Sequence, residues 1–108
     1  MTKLAAIILT KNEEQHIGAC LDSLAWADRR VVFDSFSTDH TCEIALEHSA
    51  EVLQHPFSDY ASQRNAAMQA VDAEWIFFVD ADERATPELA EEITKIVSGS
   101  PSPPRRAW

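Results

Sequence analysis

The chain has 108 residues, 45% of them apolar, and 18 acidic against 9 basic side chains give a formal net charge of −9. That length suits one domain around one core, since a chain of about this size buries roughly two thirds of its unfolded surface. The acidic balance argues against a nucleic-acid partner, whose phosphates need clustered Lys and Arg; it admits an anionic ligand only where a metal ion or local donors offset the charge.

The run LAAIIL, Leu4 to Leu9, is continuously apolar, the pattern of a strand covered on both faces of a parallel sheet. Asn12, with Gln15 three residues on, reads as a capping box for a helix on which Ile17, Cys20, Leu21 and Leu24 share a face. Val31 to Phe33 is a second strand, closed by Asp34, and a second helix using Ile44 and Ala45 is predicted from about Thr38. Ala50 to Leu53 is a third strand; in the helix after it Tyr60, Ala67, Met68 and Val71 share a face, with Arg64 alongside. Trp75 to Val79 is a fourth strand, and Thr86 before Pro87 opens a fourth helix carrying Leu89, Ile93, Ile96 and Val97. This alternation predicts a layered α/β domain over residues 1–98, with about four mainly parallel strands and flanking helices.

Residues 99–108 hold three of the five prolines and no periodicity, and read as a disordered Pro/Ser-rich tail. Arg105, Arg106 and Trp108 within it offer a weak signal for peripheral contact with the inner membrane face. No segment reaches the roughly 18 to 20 apolar residues of a membrane span, and MTKLAAIILTKNEE meets charge before a signal-peptide core or cleavage site develops. The expected compartment is therefore the cytoplasm. Cys20 and Cys42, without metal-ligand spacing, read as plain thiols of a reducing compartment.

In open α/β sheets, ligands sit beyond the carboxyl ends of the strands, so the segments TKNEE, DSFSTDHT, QHPFSD and DADER should share one functional edge. Asp80 and Asp82 are its sharpest feature. If the chain stays near-extended across Ala81, the two carboxylates emerge on one side. They then repel unless a cation lies between them. Mg²⁺ or Mn²⁺ suits such a pair, together with the phosphates of a ligand. A solvated acidic turn before the Thr86 helix, whose N-terminus favours negative charge, explains the same spacing. Asp34 ends its strand in the same way, followed by Ser35, Ser37 and Thr38, hydroxyls able to meet a base or ribose; capping accounts for Thr38 and Asp39 but not for Asp34. Thr10 and Asn12 are open to both readings, with capping the better account of Asn12.

Three ordered segments, IILTKNEEQHIGACLDSL, WADRRVVFDSFSTDHTCEIA and SQRNAAMQAVDAEWIFFVDADE, resemble the N-terminal half of a family 2 glycosyltransferase, closest in flavour to the lipopolysaccharide-core glucosyltransferase type. The resemblance runs from about Leu4 to Glu83. It implies the Rossmann-like, nucleotide-sugar-binding half of a GT-A fold, a nucleoside-diphosphate sugar (a UDP-sugar foremost), a divalent metal at the D-x-D, and a glycan or lipid-linked acceptor of cell-envelope polysaccharide or lipopolysaccharide biosynthesis. Carried onto this chain it implies Thr10 and Asp34 at the base or ribose, Asp82 as direct metal ligand, and Asp80 near ribose and metal. Arg64 resembles a position near the donor, while a helix-surface salt bridge is an equal reading of the residue itself. The implied reaction is displacement at the anomeric carbon, assisted by the metal and an acceptor-side base.

Two departures stand beside the resemblance. Phe36 occupies a position where the family usually has Gly, and any positive φ there is costly for an L-residue. The family also continues into strands carrying the acceptor site and a general base, so the chain reads as a truncated donor-binding half. Its alternative is a non-catalytic nucleotide-binding or interaction module, with the exposed edge of a sheet cut short after four strands inviting a homodimer. A nucleotidyltransferase would need a Gly-rich loop where LTKNEE has none, and a receiver domain would need a later strand bearing Lys.

Overall fold

The computed structural model describes residues 2–99 and 106–107. Its elements alternate as β1 (Thr2–Thr10), α1 (Ile17–Ser23), β2 (Arg29–Asp34), α2 (Thr41–Glu47), β3 (Glu51–Gln54), α3 (Tyr60–Ala70), β4 (Ala73–Asp80), α4 (Pro87–Gly99) and β5 (Arg106–Ala107). They build one sheet of order β3-β2-β1-β4-β5, and every pairing is parallel. The predicted α/β architecture with about four mainly parallel strands is what the chain adopts. In the stretch read as a tail, Arg106–Ala107 add a fifth, short strand against Trp75 and Ile76 of β4; Ser100 to Arg105 and Trp108, and with them most of the suggested membrane contact, lie outside the described residues.

Period-two alternation explains why β1 reads as an unbroken apolar run. Leu4, Ala6 and Ile8 point into one layer with Val32, Trp75, Phe77 and Val79, where α1, α2 and α4 cover the sheet through Ile17, Leu21, Ala45, Ile93 and Val97. Ala5 and Ile7 point the other way, joining Val31, Phe33 and Ile76 under α3, which contributes Ala67 and then Val71 at its C-cap. Both layers are apolar, so neither face of the central strand carries a polar residue between Leu4 and Leu9.

Two helix starts fall later than the sequence predicts. α1 begins at Ile17, preceded by a turn in which Glu13 C=O accepts from the N–H groups of His16 and Ile17. Asn12 is not its cap: it adopts a left-handed backbone, φ 55°, and its side chain turns to the loop after β2. α2 begins at Thr41 rather than near Thr38, and Asp39 Oδ1 accepts from the Thr41 N–H at 2.9 Å. The start of α4 follows expectation, with Thr86 Oγ1 accepting from Leu89 N–H at 3.1 Å. On α3, Asp59 caps the helix by accepting from Ser62 N–H at 2.7 Å, while Tyr60 is 72% exposed and stands off the apolar face it was assigned to. Edge-to-face contact with Phe57, ring centroids 5.1 Å apart, gives that ring its packing instead.

The two layers rest on β1. Ile8→Ala, at a side chain with no exposure, is expected to cost about 2–5 kcal/mol through lost transfer energy plus a cavity. Leu46→Ala, at 61% exposure on α2, should stay within about 0.5 kcal/mol of native; urea denaturation of both variants checks the contrast.

Candidate functional site

The strand order reverses around β1: β2 and β3 lie to one side and β4 to the other, so the carboxyl ends of β1 and β4 flank the switch point where such sheets bind ligands. A cleft of about 1130 Å³ opens there, and Thr10, Phe36, Tyr60, Arg64, Asp80 and Asp82 are among the residues lining it. Four of the five residues singled out from sequence thus share one cavity. The fifth, Asp34, lies beneath it.

Register explains the placement of Asp34. Thr10 pairs with Asp34 across β1 and β2, so the polar residues that end the two strands fall side by side. Asp34 is fully buried. Thr10 Oγ1 donates to its Oδ1 at 2.6 Å, Ser37 Oγ donates to the same oxygen at 2.6 Å, and Ser37 N–H donates to Oδ2 at 2.8 Å. Burial pushes the Asp34 carboxyl upward, but the bonds from Ser37, Thr10 and Gln54 outweigh it and hold the group below the ordinary carboxylate range. Thr10 has therefore committed its proton, and toward a ligand it offers an acceptor.

The loops after β1 and β2 are laced together over this pair. Asn12 N–H donates to Ser37 Oγ at 2.8 Å, Thr38 N–H donates to Asn12 Oδ1 at 2.8 Å, and Glu13 N–H donates to Thr41 Oγ1 at 2.9 Å. Phe36 sits in the middle with φ 54°, the left-handed conformation that glycine accepts freely. Its N–H donates to Gln54 Oε1 at 2.9 Å and its C=O accepts from Lys11 Nζ at 2.9 Å, while its ring is 55% exposed at the cleft.

Arg64 makes no ion pair among the described residues; its guanidinium lies 4.8 Å from the Phe78 ring centroid, a cation–π contact that keeps it in the cleft lining. One residue earlier on α3, Gln63 is almost completely buried, donating to Ser35 Oγ at 3.0 Å and meeting His55 Nδ1 at 2.9 Å through Oε1. Sequence reading passed over Gln63, although its i, i+4, i+8 relation to Ala67 and Val71 marks the inward face. Lys11, a second cation of the lining, was also missed; it stands next to a strand end in the segment already judged functional.

Asp80 and Asp82 do not lie along one extended strand. β4 ends at Asp80, and the chain turns through Ala81 and Asp82. Ala81 is buried in the core, and the acids on either side of it are exposed to the cleft. Arg84 braces the turn by donating to Ala81 C=O at 2.9 Å and Glu83 C=O at 2.8 Å. Behind it Cys20 Sγ lies 3.7 Å from Asp80 C=O; burial above all pushes that thiol up to about 11. Neither the Asp80 nor the Asp82 carboxylate accepts a hydrogen bond or forms an ion pair among the described residues. No group of three or more His, Cys, Asp or Glu among the described residues converges there into a preformed metal cage. Two free hard-oxygen donors at a cleft fit a Mg²⁺ or Mn²⁺ site of the kind completed by ligand phosphates and water.

The glycosyl transferase family 2 model matches residues 5–100, and the chain belongs to that family. An uncharacterized glycosyltransferase of Rickettsia felis is 38% identical over 97 residues, 89% of this chain and 34% of that protein. The lipopolysaccharide core biosynthesis glycosyltransferase LpsC of Rhizobium meliloti is 31% identical over 102 residues, 90% of this chain and 38% of that one. The chain thus spans about a third of the length of such relatives. Among solved structures, glucosyl-3-phosphoglycerate synthase of Mycobacterium tuberculosis, in complex with Mn²⁺, UDP and glucosyl-3-phosphoglycerate, superposes with a TM-score of 0.67 at 22% identity, covering 74% of this chain and 33% of that one. That likeness, and another at a TM-score of 0.76, is one of fold: the GT-A glycosyltransferase architecture.

Two outcomes follow from this geometry. Thr10→Val is expected to destabilise by about 1.5–3 kcal/mol, because a buried carboxylate loses a donor. The Asp34 bonds stabilise above the unfolded carboxyl value of ~3.9 and fade as the pH falls through the lower folded value; so the deficit of Thr10→Val relative to native, followed by urea melts from pH 7 to pH 2, should shrink on acidification. Phe36→Gly is expected to stabilise by up to about 1 kcal/mol, since relief of left-handed strain is partly offset by backbone entropy; thermal melts measure it.

Proposed function

We propose that this chain is the donor-binding part of a glycosyltransferase that takes a nucleoside-diphosphate sugar, a UDP-sugar foremost, and transfers the sugar to a glycan or lipid-linked acceptor in cell-envelope polysaccharide or lipopolysaccharide biosynthesis. The observation that carries this reading is one cleft lined by Thr10, Arg64, Asp80 and Asp82, in which neither Asp carboxylate has a partner among the described residues. The kinship with LpsC supports the acceptor class, and the Mn²⁺ and UDP in the mycobacterial synthase complex support the donor and the metal.

In this reading Asp82, with Asp80 beside it, holds Mg²⁺ or Mn²⁺, which when bound supplies charge neutralisation for a departing diphosphate. Arg64, held over Phe78, adds a second positive charge toward the phosphates. Thr10, with its proton given to Asp34, offers a base or ribose an acceptor, which suits the imide N–H of uracil. Its place of work is the cytoplasm, at the inner membrane face when the acceptor is lipid-linked.

Calorimetric titration with UDP and UDP-glucose, with and without Mn²⁺, tests the reading. Native chain should bind only when Mn²⁺ is present, and Asp82→Ala should lose that binding while remaining folded by circular dichroism. Equal heats for native and Asp82→Ala would assign the acids to a solvated turn.

A further inference from the structure

Glu83 is the third acid of the DADE segment, and its carboxylate is spoken for. The turn after β4 is closed twice between the same two residues: Glu83 N–H donates to Asp80 C=O at 2.9 Å, and Asp80 N–H donates to Glu83 Oε1 at 3.0 Å. In an extended strand the N–H and C=O of one residue point to the same side. On β4 that far side is paired by β5 only at Trp75 and Ile76, among the described residues. Glu83 thus supplies, within one turn, the donor and the acceptor that a neighbouring strand would otherwise offer the last residue of β4. The carboxylate is an acceptor-only group committed to a backbone amide, whereas those of Asp80 and Asp82 carry no partner among the described residues.

From this geometry we infer that Glu83 is a positioning residue: it fixes the backbone of Asp80, and so the relative aim of Asp80 and Asp82, rather than acting as a third cation ligand or a proton acceptor. Arg84 on the Ala81 and Glu83 carbonyls and Cys20 behind the Asp80 carbonyl hold the same turn from other sides, but among the described residues only Glu83 reaches the Asp80 amide. The inference rests on the proposed donor-site function, because it needs a cation for the two Asp residues to meet.

A ligand or a base must carry charge; a clamp needs only an oxygen that accepts. Glu83→Gln keeps that oxygen and loses the charge, and Glu83→Ala loses both. Calorimetry of Mn²⁺ with UDP on native, Glu83→Gln, Glu83→Ala and Asp82→Ala chains, with hydrogen exchange at the Asp80 amide, separates the cases. Expected is binding within about threefold of native for Glu83→Gln and weaker by about tenfold or more for Glu83→Ala, the scale of outer-shell effects on metal sites. Exchange at Asp80 should accelerate in Glu83→Ala and change little in Glu83→Gln. Glu83→Gln as weak as Glu83→Ala, with exchange at Asp80 still native-like, would make Glu83 a charged ligand or base and overturn the inference while the donor site stands. Native-like binding by both variants would also overturn it. Absence of Mn²⁺-dependent UDP binding in the native chain would remove the donor-site reading, and the positioning role with it.

Discussion

A buried carboxylate is the constraint from which this architecture takes its shape. Removing a charge from water is costly unless hydrogen bonds replace the lost solvation, and Asp34 receives them from Thr10 at the end of β1 and from Ser37 just beyond β2. Each donor must stay in place for the others to be worth keeping. The loops after β1 and β2 are therefore tied to each other. Further bonds between Asn12 and the Ser37–Thr38 segment, and between Glu13 and Thr41, extend the same seam. The left-handed turn at Phe36 persists because Gln54 and Lys11 hold its amide and carbonyl on either side.

Fixing that wall leaves the opposite wall to the end of β4. The acids of the site differ in what surrounds them. Asp34 is enclosed and bonded at both oxygens, whereas Asp80 and Asp82 stand exposed on a turn whose middle residue, Ala81, is anchored in the core. One carboxylate organises the scaffold and two face the cleft. The distinction comes from burial and partners, since all three are aspartates at or just past the end of an apolar run. Membership of glycosyl transferase family 2 agrees with a cleft placed at the switch point between β1 and β4.

The strands were legible because apolar content is a local property of each segment. Leu4–Leu9 and Trp75–Val79 read as sheet interior, and strand ends then pointed to Thr10, Asp34, Asp80 and Asp82. Helix starts were less legible, since Asn12 and Thr38 are good caps by type yet find their partners in each other, 26 positions apart in the chain. No local pattern distinguishes a cap from a loop-to-loop bond. The commitment of Thr10 to Asp34 was hidden for the same reason, as it depends on the register that sets β1 beside β2. Gln63 shows the converse case: its helical phase was visible, but an amide on an apolar face draws notice only once Ser35 and His55 are seen to satisfy it. The exposure of Tyr60 likewise depends on Phe57, a residue of the preceding loop.

Cys20 gives the molecule a built-in reporter of its own breathing. The thiol is enclosed on α1 behind the Asp80 carbonyl, and a value pushed up to about 11 leaves almost no thiolate at neutral pH. Alkylation at this position must therefore wait for α1 and the acidic turn to part. The rate at which a small electrophile reaches Cys20, set against the partly accessible Cys42, measures the local opening free energy of the wall that carries Asp80 and Asp82.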